Sequence, residues 1–276
     1  MRLIDSHGHL QAAAFVADAD EVAVAARLAG VERILVPGWD LGSSRAGLEL
    51  ASRHDFIDAS AGVHPHAAAE VDDEAWAAIV ALALDPRVVA IGETGLDYDR
   101  AFSPRAAQLA NLRRNLALAP ALGKPAILHC LSRAGERDAQ DELLDELRRA
   151  GAGGPAWRAA FGDQPPAILH SFSGPVDYAE AALELGLAIS FSGLAFRAGE
   201  EATAIVARLV PNDRVLVETD SPYLPPPGAP RRRNEPCWVE VTARWLAERR
   251  GTPPVALGEQ LVANYDRIFR PVPGLA

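Results

Sequence analysis

Residues 88–98 read Val88-Val89-Ala90-Ile91-Gly92-Glu93-Thr94-Gly95-Leu96-Asp97-Tyr98, a short apolar run that ends in glycine and then a carboxylate. The β-branched Val88, Val89 and Ile91 predict a buried strand over Val88–Gly92, with Glu93 at its C-terminal end. The same grammar recurs outward in both directions. His7 and His9 follow a strand expected at Leu3–Asp5, His64 and His66 one at Ile57–Ala61, and His129 one at Ala126–Leu128. His170 follows Ala167–Leu169, and Asp220 follows Val215–Glu218. Two further strands are expected at Arg33–Val36 and Ala188–Ser190. Six of the seven histidines therefore stand in strand-end motifs.

Between the strands lie Ala- and Leu-rich stretches, which predict helices at Asp20–Ala29, Asp73–Leu84, Arg105–Leu122, Arg137–Ala150, Val176–Leu185 and Glu201–Val210. Leu143, Leu144, Leu147 and Ala150 share one face at helical period. Pro104, Pro175 and Pro236 sit where a first helical turn tolerates proline. Eight strands alternating with helices predict an α/β protein, a single-domain (β/α)8 TIM barrel spanning residues 1–276. In that fold the active site lies at the C-terminal ends of the strands, which is where the histidines and the two acids fall. Two segments read as irregular. Gly151–Pro166 is rich in Gly and Pro on the face opposite the active site, and Pro222–Pro236 rims the active-site face.

Composition narrows the classes. With 49% hydrophobic and 23% charged residues the chain is an ordinary globular protein. No apolar run approaches the roughly 18 to 20 residues of a membrane helix. Arg2-Leu3-Ile4-Asp5 opens directly on a strand rather than a leader, so a cytoplasmic location is expected. Cys130 and Cys237 are too few for a disulfide scaffold, and Cys130 reads as a buried small residue rather than a reactive thiol. A net charge of −10 argues against a protein that coats nucleic acid, which is usually basic. It leaves a nuclease open, because metal ions and a few local arginines can hold phosphates.

Imidazoles and carboxylates converging from several strand ends suit a catalytic divalent-metal centre. His7 and His9, two apart on extended chain, point to the same side and can bind one ion, with Asp5 as a partner behind them. Glu93 can bridge two ions, because a carboxylate offers two oxygens and an imidazole one lone pair. His129 and His170 then serve the second ion, and Asp220 completes the first. Two divalent ions are expected; the histidines favour Zn²⁺, Mn²⁺ or Fe²⁺, while Mg²⁺ prefers oxygen ligands. His54 belongs to no motif and reads as a surface residue at a helix end. Asp97 reads either as a functional residue, behind the site or on its substrate side, or only as a turn residue. Trp157, Phe161 and the other aromatics form no stacking ladder and read as packing.

Seven motifs in order resemble the signatures of the TatD family of metal-dependent deoxyribonucleases, from about residue 2 to residue 269. They are Asp5-Ser6-His7-Gly8-His9-Leu10, Gly62-Val63-His64-Pro65-His66, Gly92-Glu93-Thr94-Gly95-Leu96-Asp97-Tyr98, Pro125-Ala126-Ile127-Leu128-His129, His170-Ser171-Phe172-Ser173-Gly174, Glu218-Thr219-Asp220-Ser221-Pro222-Tyr223-Leu224 and Arg233-Asn234-Glu235-Pro236. The resemblance implies a TIM barrel of the amidohydrolase superfamily. It gives one metal to His7, His9, Glu93 and Asp220, and a second to Glu93, His129 and His170. His64, His66 and Arg233 would face the substrate. Arg231 and Arg232, on the same rim, read equally as phosphate contacts and as solvated charges. The chain departs from the family at Gly8, where many members have Cys, at Cys130, at an inserted Leu131-Ser132, and in the length of Gly151–Pro166.

The function this implies is DNA phosphodiester hydrolysis, with 3′-to-5′ exonuclease action on single strands favoured. Metal-activated hydroxide would be the nucleophile, Asp220 the general base and Glu93 the second catalytic carboxylate. The partner is then single-stranded DNA, with no membrane and no obligate protein partner. The alternative is a metal-dependent hydrolase of an amide, ester or D-aminoacyl-tRNA bond. A carboxylated lysine between the metals would mark that class, but Lys124 is the one lysine and stands ahead of strand five. A third class, a barrel used only for binding, should have lost metal ligands, and none is lost.

Overall fold

The computed structural model describes residues 1–270. Eight strands, β1 (Leu3–Asp5), β2 (Val31–Val36), β3 (Ile57–Ala61), β4 (Val88–Asp97), β5 (Ala126–Leu131), β6 (Ala167–Leu169), β7 (Ala188–Phe191) and β8 (Val215–Val217), pair in parallel in sequence order. Ten helices surround them: α1 (Ala19–Leu28), α2 (Leu41–Arg53), α3 (Asp73–Ala83), α4 (Arg105–Leu122), α5 (Asp138–Arg149), α6 (Pro155–Phe161), α7 (Val176–Glu184), α8 (Glu201–Leu209), α9 (Val239–Arg250) and α10 (Pro254–Phe269). This is the expected single-domain TIM barrel. Parallel strands covered by helices are buried on both faces, so they read as continuous apolar runs rather than as alternation. No helix among the described residues is long and apolar enough to cross a membrane.

The barrel closes between β8 and β1 with few bonds, most of them just beyond the strand ends. Ser6 N donates to Val217 O, Asp220 N to His7 O at 2.8 Å, and His9 N to Ser221 O at 2.7 Å. Gly8 and Ser221 form a parallel bridge there. The seam of the barrel and the start of the His-x-His motif are thus the same piece of backbone.

Boundaries differ where side chains act at long range. β4 runs to Asp97 and β5 to Leu131, both beyond the expected ends, because each strand supplies the other's backbone partners. Their register slips between Ile91 and Thr94, at Glu93. A bulge of this kind re-aims one side chain, and here it turns Glu93 into the barrel mouth. The Gly/Pro-rich Gly151–Pro166 stretch is not irregular: it holds α6, with Pro155 at its first turn and Trp157 and Phe161 buried. On α5, Leu143, Leu144 and Leu147 are buried as expected, while Ala150 caps the helix and is exposed.

The contact of β4 with β5 yields a stability prediction. Gly95 sits at φ +142°, and a Cβ there would lie 1.9 Å from His129 O. Gly95→Ala is expected to cost more than about 3 kcal/mol, through strained backbone and overpacking together. Gly135→Ala, at φ +82° in open space, should cost about 1–2 kcal/mol. Urea denaturation of the two variants checks the difference.

Candidate metal centre

Every strand-end histidine and both acids converge at the C-terminal mouth of the barrel. Glu93 is 3% exposed, and its two oxygens face different partners. Oε2 lies 3.3 Å from His7 Nε2 and 3.9 Å from His9 Nε2. Oε1 lies 2.9 Å from His170 Nε2, 3.3 Å from His129 Nδ1 and 3.2 Å from His64 Nε2. Asp220 Oδ1 stands 3.2 Å from His9 Nε2 and 3.7 Å from His7 Nε2. The two Nε2 atoms of His7 and His9 are 3.2 Å apart.

These spacings test whether the residues suit metal ions. A tetrahedral ion with bonds of about 2.0–2.2 Å separates its ligand atoms by about 3.3–3.6 Å. The separations in the His7–His9–Glu93–Asp220 set run from 3.2 to 3.9 Å. On the other side, His129 Nδ1 and His170 Nε2 are 3.3 Å apart. Imidazole nitrogens and carboxylate oxygens that crowd in this way can share a cation between them. The donor set around Glu93 suits divalent metal.

Burial and charge pairing act in opposite senses across the cluster. Burial pushes the Glu93 carboxyl up, but His64, His170 and His7 together hold it well below the ordinary carboxylate range. Burial, reinforced by the neighbouring His170 charge, lowers His7. Burial likewise lowers His64 to about 4, so both present a free lone pair. Burial would lower His170 too, yet Glu93 and Glu218 carry it well above its usual value. The rings of His7 and His170 stack at 4.0 Å between centroids.

A second layer orients the ligands. Glu218 Oε1 lies 3.1 Å from His170 Nδ1 and accepts from Ser171 N at 2.7 Å. Asp97 Oδ2 lies 2.6 Å from His66 Nε2 and 3.3 Å from His129 Nε2. Of the readings left open for Asp97, the structure supports the partner behind the site. Asp5 accepts from His7 N, Thr219 N and Thr219 Oγ1, and burial raises its carboxyl to about 8. Asn234 Nδ2 donates to Thr219 O and Tyr223 O, which fixes the loop carrying Asp220. Asp220 itself adopts φ +53°, a left-handed conformation uncommon for non-glycine residues and frequent at functional sites.

Three expected placements gain detail. His64 was expected to face substrate, and its Nε2 sits among the atoms around Glu93 Oε1. His66 lies one layer out, against Asp97. Arg233 is not brought to the metal cluster. Its guanidinium meets Asp18 at 2.7 Å, Glu235 at 3.2 Å and the Phe15 ring at 4.7 Å. Glu218 was passed over as a strand residue. Its place two residues before Asp220 was the available signal, since period two puts both on one side. His54 caps α2 and bonds Asp20, as expected of a helix-end residue.

Comparison with known proteins agrees with the geometry. A family model described as TatD related DNase matches residues 4–270. The chain belongs to the TatD family. It is 37% identical over 275 residues, 97% of this chain and 99% of the relative, to the 3′-5′ ssDNA/RNA exonuclease TatD of Erwinia billingiae. It is 34% identical, over 97% of this chain and 99% of the relative, to the uncharacterized metal-dependent hydrolase YabD of Bacillus subtilis. The crystal structure of the TatD homolog YjjV from Escherichia coli superposes with a TM-score of 0.84 at 28% identity, over 99% of both chains. The chain is a TatD-family hydrolase with a metal-dependent relative and a donor cluster that suits metal.

The second layer of this TatD-family site gives a prediction. Glu218→Gln keeps the shape of the side chain and removes the charge behind His170. Metal affinity is expected to fall about 10- to 100-fold, as for other outer carboxylates behind ligating histidines. Titration of the apoprotein with Zn²⁺ or Mn²⁺ measures it; an unchanged isotherm would remove Glu218 from the site.

Proposed function

We propose that this TatD-family hydrolase is a two-metal nuclease that cleaves single-stranded DNA from the 3′ end. The division of the Glu93 oxygens between two histidine sets carries the reading, because it supplies two adjacent cation positions with one shared ligand. The names of the relatives, which include single-strand exonucleases, support the substrate class.

In this reading His7, His9, Glu93 and Asp220 hold one ion, and Glu93, His129 and His170 the other. Ions so placed would lower the pKa of a water and neutralise charge on a phosphoryl group. Asp220, with its side chain 14% exposed, borders the opening and takes the proton of the attacking water. His64, beside Glu93 Oε1, and His66, steadied by Asp97, contact the phosphate oxygens. Arg233, already held by Asp18 and Glu235, braces the rim loop instead of reaching the phosphate. Lys124 donates to Ala83 O and Asp85 O, the carbonyls that end α3, away from the site. Glu93 is then the bridge, as the sequence implies.

The test is cleavage of 3′- and 5′-labelled single-stranded DNA by metal-stripped enzyme reloaded with Mn²⁺, Mg²⁺ or Zn²⁺. Wild type should release nucleotides from the 3′ end. Asp220→Asn should slow turnover by about 10²- to 10⁴-fold. In Glu93→Gln, plasma mass spectrometry should find fewer than two ions per chain and no cleavage should be seen. Wild type shown to hold two ions, yet silent on DNA with every metal, would overturn the nuclease reading in favour of a carbonyl substrate.

A further inference from the structure

Of the 27 basic residues all but Lys124 are arginine. Nearly all of these have a partner. Arg2 pairs with Glu32, Arg105 with Glu142 and Arg113 with Glu146, and Arg250 holds the carbonyls of Ala207 and Val210. Among the described residues, the arginines whose side chains make no hydrogen bond, ion pair or ring contact are Arg45, Arg100, Arg133, Arg197, Arg231 and Arg232. All six are exposed. Apart from Arg45, on α2, each lies in a strand-to-helix loop on the catalytic face: Arg100 after β4, Arg133 after β5, Arg197 after β7, and Arg231 and Arg232 after β8. In a chain of net charge −10, unpaired positive charge has been kept where the metal centre opens.

The aromatic residues divide in the same way. Phe102 and Tyr223 are the exposed aromatic side chains among the described residues, at 70% and 58%. Phe102 stands edge-on to His66 at 4.7 Å between centroids, and Tyr223 edge-on to His9 at 5.9 Å. Each therefore stands beside the cluster, Phe102 next to His66 and Tyr223 next to His9. The expectation that all aromatics serve packing fails at these two, because the strand-to-helix loops hold them clear of the core.

We propose that the catalytic face carries a track for several nucleotides of single strand, in which Arg100, Arg133, Arg197, Arg231 and Arg232 hold phosphates flanking the scissile one and Phe102 and Tyr223 stack on bases either side of it. The proposal rests on the nuclease reading and names what that site recognises beyond one phosphodiester. Rings stack on any base without reading its identity, and guanidiniums follow the backbone, so the track binds without sequence preference. Asp99 and Glu136 share two of these loops.

The experiment compares wild type with two variants, one with all five arginines changed to Ser and one carrying Phe102→Ala and Tyr223→Ala. Metal-free protein is titrated with labelled dT12 and rU12 across a salt series. The slope of log K against log salt should flatten by about 0.7 for each arginine removed. The aromatic variant should bind dT12 about tenfold more weakly per ring. With metal restored, hydrolysis of methyl p-nitrophenyl phosphate, a diester with no base and no flanking phosphate, should stay within twofold in both variants. Variants that bind and cut dT12 as wild type does overturn the track and leave the nuclease reading standing. A wild type that neither binds nor cuts either oligonucleotide overturns both. Weaker binding of rU12 than dT12 in wild type, abolished in a variant, would support the track and make it selective for DNA.

Discussion

Glu93 is the constraint around which this molecule is arranged. A buried carboxylate costs several kcal/mol unless charge and hydrogen bonds compensate it. Here the compensation is His7, His9, His64, His129 and His170, drawn from four strands and divided between its two oxygens. Such an arrangement holds only if the β4 backbone can turn Glu93 out of line, which the register slip provides. It also needs neighbouring backbone to come close. A Cβ at Gly62 would lie 2.3 Å from Gly92 Cα, and one at Gly95 1.9 Å from His129 O. The glycines of the Gly92-Glu93-Thr94-Gly95 motif are thus part of the electrostatic solution. They bring the strands near enough for one acid to meet ligands from both sides.

The outer layer extends the same logic to the closing seam. Asp5 on β1 and Thr219 beyond β8 are joined by hydrogen bonds that also hold the backbone of His7. Asp220 N bonds His7 O across that seam. Closing the barrel and bringing His7 and His9 to Asp220 therefore depend on the same hydrogen bonds. An open seam would separate His7 and His9 from Asp220 without altering any ligand.

Much of this was legible in the sequence. Most of the strand-end motifs survive just beyond the ends of real strands, because in a parallel barrel the apolar run and the polar residue after it mark where the core stops and the mouth begins. Glu93 and His129 instead fall inside β4 and β5. Less legible was anything decided by a partner distant in sequence. Gly151–Pro166 has loop composition, yet Trp157 and Phe161 find a buried face and Trp157 bonds Ala150 O, so α6 forms. The end of β4 was hidden because Gly95 and Asp97 are poor strand residues held by β5. Glu218 looked like strand because its partner, His170, lies 48 residues away. Arg233 was identifiable as a rim residue but not as a committed one, since Asp18 is far off in sequence.

The outer shell is fastened in part by arginine forks. Arg113 gives Glu146 two bonds of 2.8 Å, and so ties α4 to α5 through a planar fork. Arg2 does the same to Glu32, from the first strand to the second. A lysine could match one such bond but not the pair, because its ammonium is a point charge without the fixed geometry. Lys124 is placed where a fork has no use, donating into the carbonyls at the end of α3. Once the scaffold uses guanidiniums in this way, an arginine left without a carboxylate is conspicuous. On the catalytic face several are left so, each with its fork open to an oxyanion.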